Sequence, residues 1–213
     1  MKFRDRDDAG RILAERLVQR DHDQPAIVLG IPRGGVILAD IVASKLETDF
    51  DIVIPRKLGA PDNEELAIGA VTEDGTSYIN TYLINALRIK QEYIEEEKVR
   101  QIEEIRRRSE TYRKQGLPYS IGGKKAILVD DGIATGATVI ASARWVRKRN
   151  PASLTIAVPV APTQTVEVLE QEADSVVAVH TARDFGSVGQ FYEEFAPVTD
   201  AEVMAIMRAR NLL

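Results

Sequence analysis

Two adjacent carboxylates and a run of threonine and glycine follow one another in residues 127–138, ILVDDGIATGAT. Asp130 and Asp131 come directly after an apolar run that predicts a short buried strand, and the run after them leads into an amphipathic helix. Carboxylates accept hydrogen bonds from vicinal hydroxyls, and backbone amides at the positive end of a helix bind phosphate. The pattern is therefore suited to binding a sugar phosphate.

Two other kinds of protein site place acids at the end of a strand. An ordinary strand-to-helix turn can use Asp as a helix cap, but a cap needs one acid and none of the threonine-glycine run. Phosphate-receiver domains also place paired acids at a strand end. Those acids lie near the start of the chain, however, and no Ala-Thr-Gly-x-Thr sequence like residues 134–138 follows them.

Two further segments are suited to anions. Residues 30–35, GIPRGG, lie between a predicted strand and a predicted helix, where glycines let the backbone approach an anion closely. Arg33 can bind two phosphate oxygens with its planar guanidinium. Residues 55–59, PRKLG, close the next predicted strand and carry Arg56 and Lys57. Because ligands bind beyond the carboxyl ends of the strands in open α/β sheets, all three segments are expected to form one site.

Strand and helix patterns alternate along most of the chain, which predicts a parallel sheet with helices on both faces. The predicted strands are 25–30, 50–55, 66–72, a strand around Tyr78, 126–129, 154–161 and 176–180. The predicted helices are 5–20, 34–46, 138–149, 165–172 and a last helix from the capping box at 199–202 to Arg210.

Residues 81–113 contain neither glycine nor proline and are rich in charge, with a thin apolar stripe at helical spacing. As one helix they would extend about 45–50 Å at 1.5 Å per residue, and residues 115–118 are predicted to end it. Three interpretations are open for this helical insertion, about 81–115: a solvated surface helix, a mobile lid, or a dimer contact.

Composition limits the possible classes. A length of 213 residues predicts a single domain, 1–213, and no apolar run is long enough to cross a bilayer. The net charge of −5 argues against binding to nucleic acid that is mainly electrostatic. The absence of cysteine excludes disulfides and thiolate metal sites. With no signal-peptide pattern at residues 1–8, a cytoplasmic protein is predicted.

Residues 127–138 resemble the ribose-5-phosphate loop of the type I phosphoribosyltransferases, which join a nitrogen base to phosphoribosyl pyrophosphate (PRPP). Residues 30–35 resemble the pyrophosphate loop of that family, which often contains a non-proline cis peptide bond. Residues 55–59 are similar to the Arg-Lys-x-Gly segment of adenine phosphoribosyltransferases. Glu64, Glu65, the predicted strand 67–71 and the segment 184–195 match transferases of unassigned substrate, so the resemblance covers almost the full length.

The resemblance implies the type I fold, with the charged helical insertion before the strand of the PRPP loop and a C-terminal cap segment at about 181–213. It also implies four catalytic residues: Asp130 and Asp131 beside the ribose, and Arg33 and Lys57 beside the leaving pyrophosphate. Mg²⁺ would be held mainly by PRPP and water, without an all-protein metal site. The implied substrate-binding residues are Arg33, Gly34, Gly35, Arg56, Lys57, Asp130, Asp131, Gly132, Ile133, Ala134, Thr135, Gly136, Ala137, Thr138 and Phe185.

The acceptor is left open by the sequence. In 6-oxopurine transferases an aspartate occupies the position of Ala134, so the alanine disfavours hypoxanthine or guanine and leaves adenine-like, orotate-like or other acceptors. Phe185 is the candidate to stack on a flat ring, while Phe191 and Phe195 are assigned to core packing of the last helix. Glu64 and Glu65 are the candidates for an acid or base, and neither His22 nor His180 is given a catalytic role.

Three functions follow from the resemblance. The first is a pentosyltransferase, acting as a homodimer on PRPP and a nucleobase-like acceptor. The second is a regulatory protein that binds PRPP with little or no turnover, although no helix-turn-helix is recognisable. The third is a helical interaction protein built on an inactive transferase scaffold.

Overall fold

The computed structural model describes residues 1–19, 25–113 and 120–213. Its larger sheet is parallel, with strand order β2-β1-β6-β7-β8. These strands are β1 (Ala26–Gly30), β2 (Asp49–Ile52), β6 (Lys125–Val129), β7 (Ser153–Pro162) and β8 (Ser175–Ala182). The predicted parallel sheet is confirmed.

Strands β1 and β6 are neighbours at the centre of this sheet, with Val28 opposite Ile127 and Gly30 opposite Val129. Both are short apolar runs whose last four residues are buried, as expected for strands covered on both faces. Because the two strands are parallel and in register, the segments that follow Gly30 and Val129 leave the sheet side by side. This pairing brings the predicted glycine and acid loops together.

Helices cover both faces of the sheet. One face packs against α1 (Arg6–Val18), α2 (Gly34–Leu46) and α7 (Asp200–Ala209), and the other packs against α5 (Ala137–Arg147) and α6 (Thr163–Leu169). Alternate strand residues supply the two cores: Val28 belongs to the first, whereas Ile27 and Leu29 belong to the second. Within the described ranges, none of the helices has the length and apolar character needed to cross a membrane.

A second, antiparallel sheet follows β2 and contains β3 (Arg56–Ala60), β4 (Asn63–Val71) and β5 (Ser77–Ile79). The assignment of residues 55–59 to the end of the second parallel strand is therefore wrong. Strand β2 ends at Ile52, and the basic pair opens β3, which turns back at residues 61–62 to pair with β4. Burial of Leu58 and Ile68 anchors this hairpin to the core.

The charged insertion consists of two helices, α3 (Thr81–Leu87) and α4 (Gln91–Tyr112), so a single helix of 45–50 Å is wrong. Arg88 adopts a left-handed conformation, φ 53°, which ends α3. The 22 residues of α4 extend about 33 Å. The predicted stop at 115–118 lies outside the described residues. Buried Ile94, Ile105 and Tyr112 pack α4 onto the core, so it is not solvated on all sides.

The C-terminal segment contains a 3₁₀ helix (Val188–Phe191) before α7. The capping box is confirmed, because Thr199 and Glu202 exchange hydrogen bonds between side chain and backbone. The predicted core packing is confirmed, because Phe191 lies in the same core as Val203 and Met207 of α7, with Phe195 partly buried against that core.

Candidate functional site

The loop after β1 forms one wall of the site. Its first residue, Ile31, donates a backbone hydrogen bond of 2.9 Å to the carbonyl of Val129. The peptide bond between Pro32 and Arg33 is cis, as is common in the loop that it resembles. Gly34 and Gly35 then open α2. A Cβ atom on Gly35 would lie 2.8 Å from the Cα of Asp130, so glycine allows this loop to contact the acid loop.

The two acids at the end of β6 have different partners. Oδ1 of Asp130 accepts a 2.9 Å hydrogen bond from the backbone amide of Asp131. Oδ2 of Asp131 accepts a 2.8 Å hydrogen bond from Nε of Arg6, the first residue of α1. The carbonyl of Asp131 accepts a 2.6 Å bond from the hydroxyl of Tyr192. The acid loop is therefore tied to both the N-terminal helix and the C-terminal segment.

Both carboxyl groups have raised pKa values. Burial raises the pKa of Asp130 well above its usual range, and the neighbouring charge of Asp131 raises it further. Burial also raises the pKa of Asp131, whereas the charge and hydrogen bond of Arg6 act against that rise. Burial and the Asp131 carboxylate raise the pKa of the Tyr192 phenol, so Tyr192 remains a hydrogen-bond donor. Burial thus favours the protonated form of both carboxyl groups, whereas hydrogen bonds donated by bound hydroxyl groups would favour the ionised form.

The residues after the acids form a small cavity of about 200 Å³ at the N-terminus of α5. Gly136 caps that helix with a left-handed φ of 80°, so the first amides of α5 are free of intrahelical partners. Thr165 holds the loop by donating a 2.9 Å hydrogen bond to the carbonyl of Ala134. The lining residues are Lys57, Asp130, Gly132, Ile133, Ala134, Thr135, Gly136, Thr138, Val139 and Val188. The cavity has the size and polarity for a phosphate group.

A larger polar cavity of about 450 Å³ adjoins the first, and Lys57 and Thr138 line both. Its walls come from the loop after β1, the β3–β4 hairpin and α4. The charged lining residues are Arg56, Lys57, Glu64, Glu65, Glu97, Arg100 and Arg108. Four of these side chains are cations and three are carboxylates, and Arg100 is paired with Glu97 at 2.8 Å. The lining therefore has one positive charge in excess.

The two basic residues of β3 are placed differently. Nε of Arg56 donates a 2.9 Å hydrogen bond to Oε1 of Gln101 on α4. Burial lowers the pKa of Arg56, and the charge of Arg108 lowers it further. Lys57 lies where the two cavities meet, so it can contact ligands in both.

Other residues that the sequence predicted for the site lie at its margin. Arg33 is exposed, and its Nη1 lies 3.7 Å from Oδ1 of Asp200 at the start of α7. Phe185 packs against Phe191 with ring centroids 5.1 Å apart and lines neither cavity. Its stacking role stays a prediction. His180 lies 5.6 Å from the Phe191 ring, between centroids.

Sequence reasoning missed several residues of this region. Arg6 and Tyr192 hold the acid loop from opposite ends of the chain. Arg100 and Arg108 bring charge from α4 into the larger cavity. Arg6 offered one local signal of a special role in the sequence. It is a basic residue in the first turn of a helix, where acids such as its neighbours are favoured.

Comparison with known proteins adds a family relationship. The model of the family described as phosphoribosyl transferase domain matches residues 5–194. Two proteins provisionally named phosphoribosyl transferases, from two strains of Mycobacterium tuberculosis, are 38% identical to this chain over 205 residues. That match covers 96% of this chain and 46% of theirs, so the chain spans about half the length of these relatives.

A solved structure resembles the chain along its whole length. The crystal structure of TT1426 from Thermus thermophilus shares 43% sequence identity and superposes with a TM-score of 0.81. The match covers 97% of this chain and 98% of that one. The fold is therefore shared over almost the whole chain with an experimentally solved protein.

Proposed function

Because this chain belongs to the phosphoribosyl transferase family and has its type I fold, we propose that it transfers the phosphoribosyl group of PRPP to a nitrogenous acceptor and releases pyrophosphate. The observation that carries the proposal is the arrangement around Asp130. An acid pair, a helix N-terminus and a polar cavity that Lys57 lines adjoin one another. These are the three chemistries that a sugar carrying a phosphate and a diphosphate requires.

The donor would bind with its 5′-phosphate in the small cavity. Backbone amides and hydroxyls from Thr135 to Thr138 at the start of α5 would donate hydrogen bonds to it. Asp130 and Asp131 would accept hydrogen bonds from the ribose hydroxyls. The glycines at 132 and 136, both with positive φ, let the loop curve around the phosphate.

The diphosphate would extend into the larger cavity. Lys57 is proposed to contact it because this lysine lies where the cavities meet. Arg33 would approach from the loop after β1, by leaving its distant partner Asp200. Arg56 would contribute charge, although its Nε is already bonded to Gln101.

Magnesium is proposed to enter with the donor. Among the residues that the structure describes, no group of three or more acids or histidines is arranged to hold a metal ion. Hard Mg²⁺ commonly keeps several waters and binds substrate phosphates, so diphosphate oxygens and water would hold it here. When bound, Mg²⁺ supplies charge neutralisation to the leaving diphosphate.

The proposed reaction is a displacement at C1 of the ribose. A nitrogen of the acceptor forms the new bond, and the bond to the diphosphate oxygen breaks with its electron pair. Positive charge develops on the ribose ring, and the carboxylates of Asp130 and Asp131 are proposed to stabilise it. The chain thus contributes position and electrostatics rather than a covalent intermediate.

Helix α4 is proposed to close the diphosphate side of the site. It supplies Glu97, Arg100 and Arg108 to the larger cavity, and Tyr93 donates a 3.0 Å hydrogen bond to the carbonyl of Gly59. Such a wall would exclude water that otherwise hydrolyses the donor. A homodimer and a cytoplasmic location remain predictions.

The acceptor is proposed to lack a 6-oxopurine ring. Ala134 lines the phosphate cavity and offers no carboxylate to a purine N7. Adenine-like, orotate-like and other acceptors remain possible. Glu64 and Glu65 line the larger cavity, where either can exchange a proton with a bound acceptor.

The decisive experiment supplies PRPP and Mg²⁺ with a panel of bases, amines and alcohols and measures pyrophosphate. We expect release that depends on one acceptor class and that falls by orders of magnitude in Asp131→Asn and Arg33→Ala. Arg16→Gln, an exposed arginine on α1, is the matched control. Binding of PRPP without release by any acceptor would favour the regulatory protein, and the absence of PRPP binding would refute both.

A further inference from the structure

We infer that Arg6 is a positioning residue that acts through Asp131, one of the two acids proposed to bind the ribose. The Asp131–Arg6 pair fixes the acid loop and so holds both carboxyl groups in place for the donor. The inference rests on the proposed function, because it concerns how the same site holds PRPP.

The two acids have different partners. Asp130 lines the phosphate cavity together with Lys57 and Gly132, and its Oδ1 accepts a hydrogen bond from the Asp131 amide. Asp131 is instead paired with Arg6, Nε to Oδ2 at 2.8 Å, and the side chains are 12% and 15% exposed for Arg6 and Asp131. A charge pair so shielded from water is fixed more firmly than a surface pair.

Asp131 is held on several sides. Tyr192 donates to its carbonyl at 2.6 Å, and its own amide donates to Asp130 at 2.9 Å. Its carboxylate lies directly over Gly34, where an added Cβ would be 1.8 Å from Oδ2. Movement of the Asp131 side chain would therefore disturb both the Asp130 carboxylate and the first turn of α2.

Arg6 is itself well placed to hold this acid. Its Nη1 donates a 2.7 Å hydrogen bond to the carbonyl of Ala196, and its guanidinium carbon lies 3.9 Å from the centroid of the Phe195 ring. Backbone, aromatic ring and carboxylate thus fix one guanidinium group. Lysine would keep the charge but cannot reproduce this planar arrangement fully.

Removal of the cation has a defined electrostatic consequence. Burial raises the pKa of Asp131, and Arg6 is the cation that opposes this rise. The other titratable groups that face Asp131 are the Asp130 carboxyl and the Tyr192 phenol, and neither is a cation. Without Arg6 the Asp131 carboxyl should therefore take up a proton at a higher pH and release its hold on the loop.

The test measures the dissociation constant of PRPP with Mg²⁺ by calorimetry in four variants: Arg6→Gln, Arg6→Lys, Asp131→Asn and the double variant Arg6→Gln/Asp131→Asn. We expect Arg6→Gln and Asp131→Asn each to weaken binding by about tenfold or more, equivalent to 1.4 kcal/mol. The double variant should be no weaker than either single variant, because both remove one interaction. Arg6→Lys should recover most of the affinity.

A pH series separates positioning from a purely structural role. As the pH falls, Arg6→Gln should lose affinity at a higher pH than the wild type, because Arg6 opposes the rise in the Asp131 pKa, and Arg6→Lys should follow the wild type. Arg16→Gln on the same helix is the matched control and should leave affinity unchanged. Melting temperatures recorded in parallel show whether each variant is folded.

The outcomes distinguish this inference from the function on which it rests. If the wild-type chain does not bind PRPP, the proposed function fails and the inference fails with it. If the wild type binds and Arg6→Gln binds equally well, the inference alone is overturned. Additive losses in the double variant, or a lower melting temperature with an unshifted pH profile, would also overturn it.

Discussion

Replacing Gly35 with alanine tests whether the glycine loop and the acid loop depend on each other. The new Cβ would lie 2.8 Å from the Cα of Asp130, 2.8 Å from the carbonyl oxygen of Val129 and 3.0 Å from Oδ1 of Asp130. The first two contacts are with backbone, which cannot rotate away. Since ordinary contact starts near 3.4 Å, the start of α2 and the end of β6 must separate by about 0.6 Å.

Two free-energy terms set the size of the effect on stability. Overpacking of a close contact costs about 1–3 kcal/mol, and the better helix propensity of alanine returns at most about 1 kcal/mol. A net loss of roughly 1–2 kcal/mol in the free energy of unfolding is therefore expected. Denaturation by urea, followed by circular dichroism, measures it.

The effect on the site should exceed the effect on stability. A displacement of about 1 Å in a reacting geometry can cost roughly 100-fold in rate, so a shift of this size should weaken PRPP binding or turnover by about 10- to 100-fold. Gly122→Ala is the control, because its Cβ would have an ordinary 3.4 Å contact in an exposed turn. Unchanged stability and unchanged affinity in Gly35→Ala would refute the mutual placement of the two loops.

Three further variants test other parts of the structure. Burial raises the pKa of Asp130, so the folded chain binds the proton of this carboxyl group more tightly than the unfolded chain does. The free energy of unfolding therefore falls as the pH rises above the pKa of about 3.9 in the unfolded chain. Asp130→Asn should have a higher melting temperature than the wild type at neutral pH, with a smaller difference in acid, and should lose PRPP binding. Thr199→Ala removes the cap of α7 and should cost about 1 kcal/mol in urea denaturation, whereas Thr199→Ser should not; equal midpoints would contradict the cap shared with Glu202. Tyr112→Phe removes the hydroxyl that donates to Asp200 and should cost about 0.5–1.5 kcal/mol and speed amide exchange at the end of α4; unchanged exchange would show that this contact does not hold the helix.

The centre of the parallel sheet was predictable because β1 and β6 are short apolar runs, the first ending in Gly30 and the second followed by Asp130. The pattern placed α2 at residues 34–46, as the structure has it. The carboxyl-end rule for parallel strands then predicted that residues 30–35 and residues 130–138 would meet. Physical constraints on buried strands are local in the sequence, so this part needed no tertiary information.

The antiparallel hairpin and the break in the insertion were not predictable in the same way. Strand β3 opens with Arg56 and Lys57, and charged residues of this kind are more typical of a loop. The segment forms a strand because it pairs with β4. Residues 81–113 contain no glycine or proline, so the left-handed Arg88 that ends α3 has no signal in composition. Tertiary packing of α4 through Ile94 and Ile105 overrides a continuous helical pattern.

The place of Arg6 follows from topology rather than from any motif. Helix α1 precedes β1, and its 13 residues span about 20 Å, close to the 17 Å or so of a five-residue strand. A helix that packs on the sheet and then feeds the amino end of β1 must begin near the carboxyl ends of the strands. Its first residue therefore lies beside Asp131, although 125 positions separate the two in sequence. In any parallel sheet, the first turn of a helix that packs on the sheet and precedes its first strand is expected to lie near the carboxyl ends of the strands.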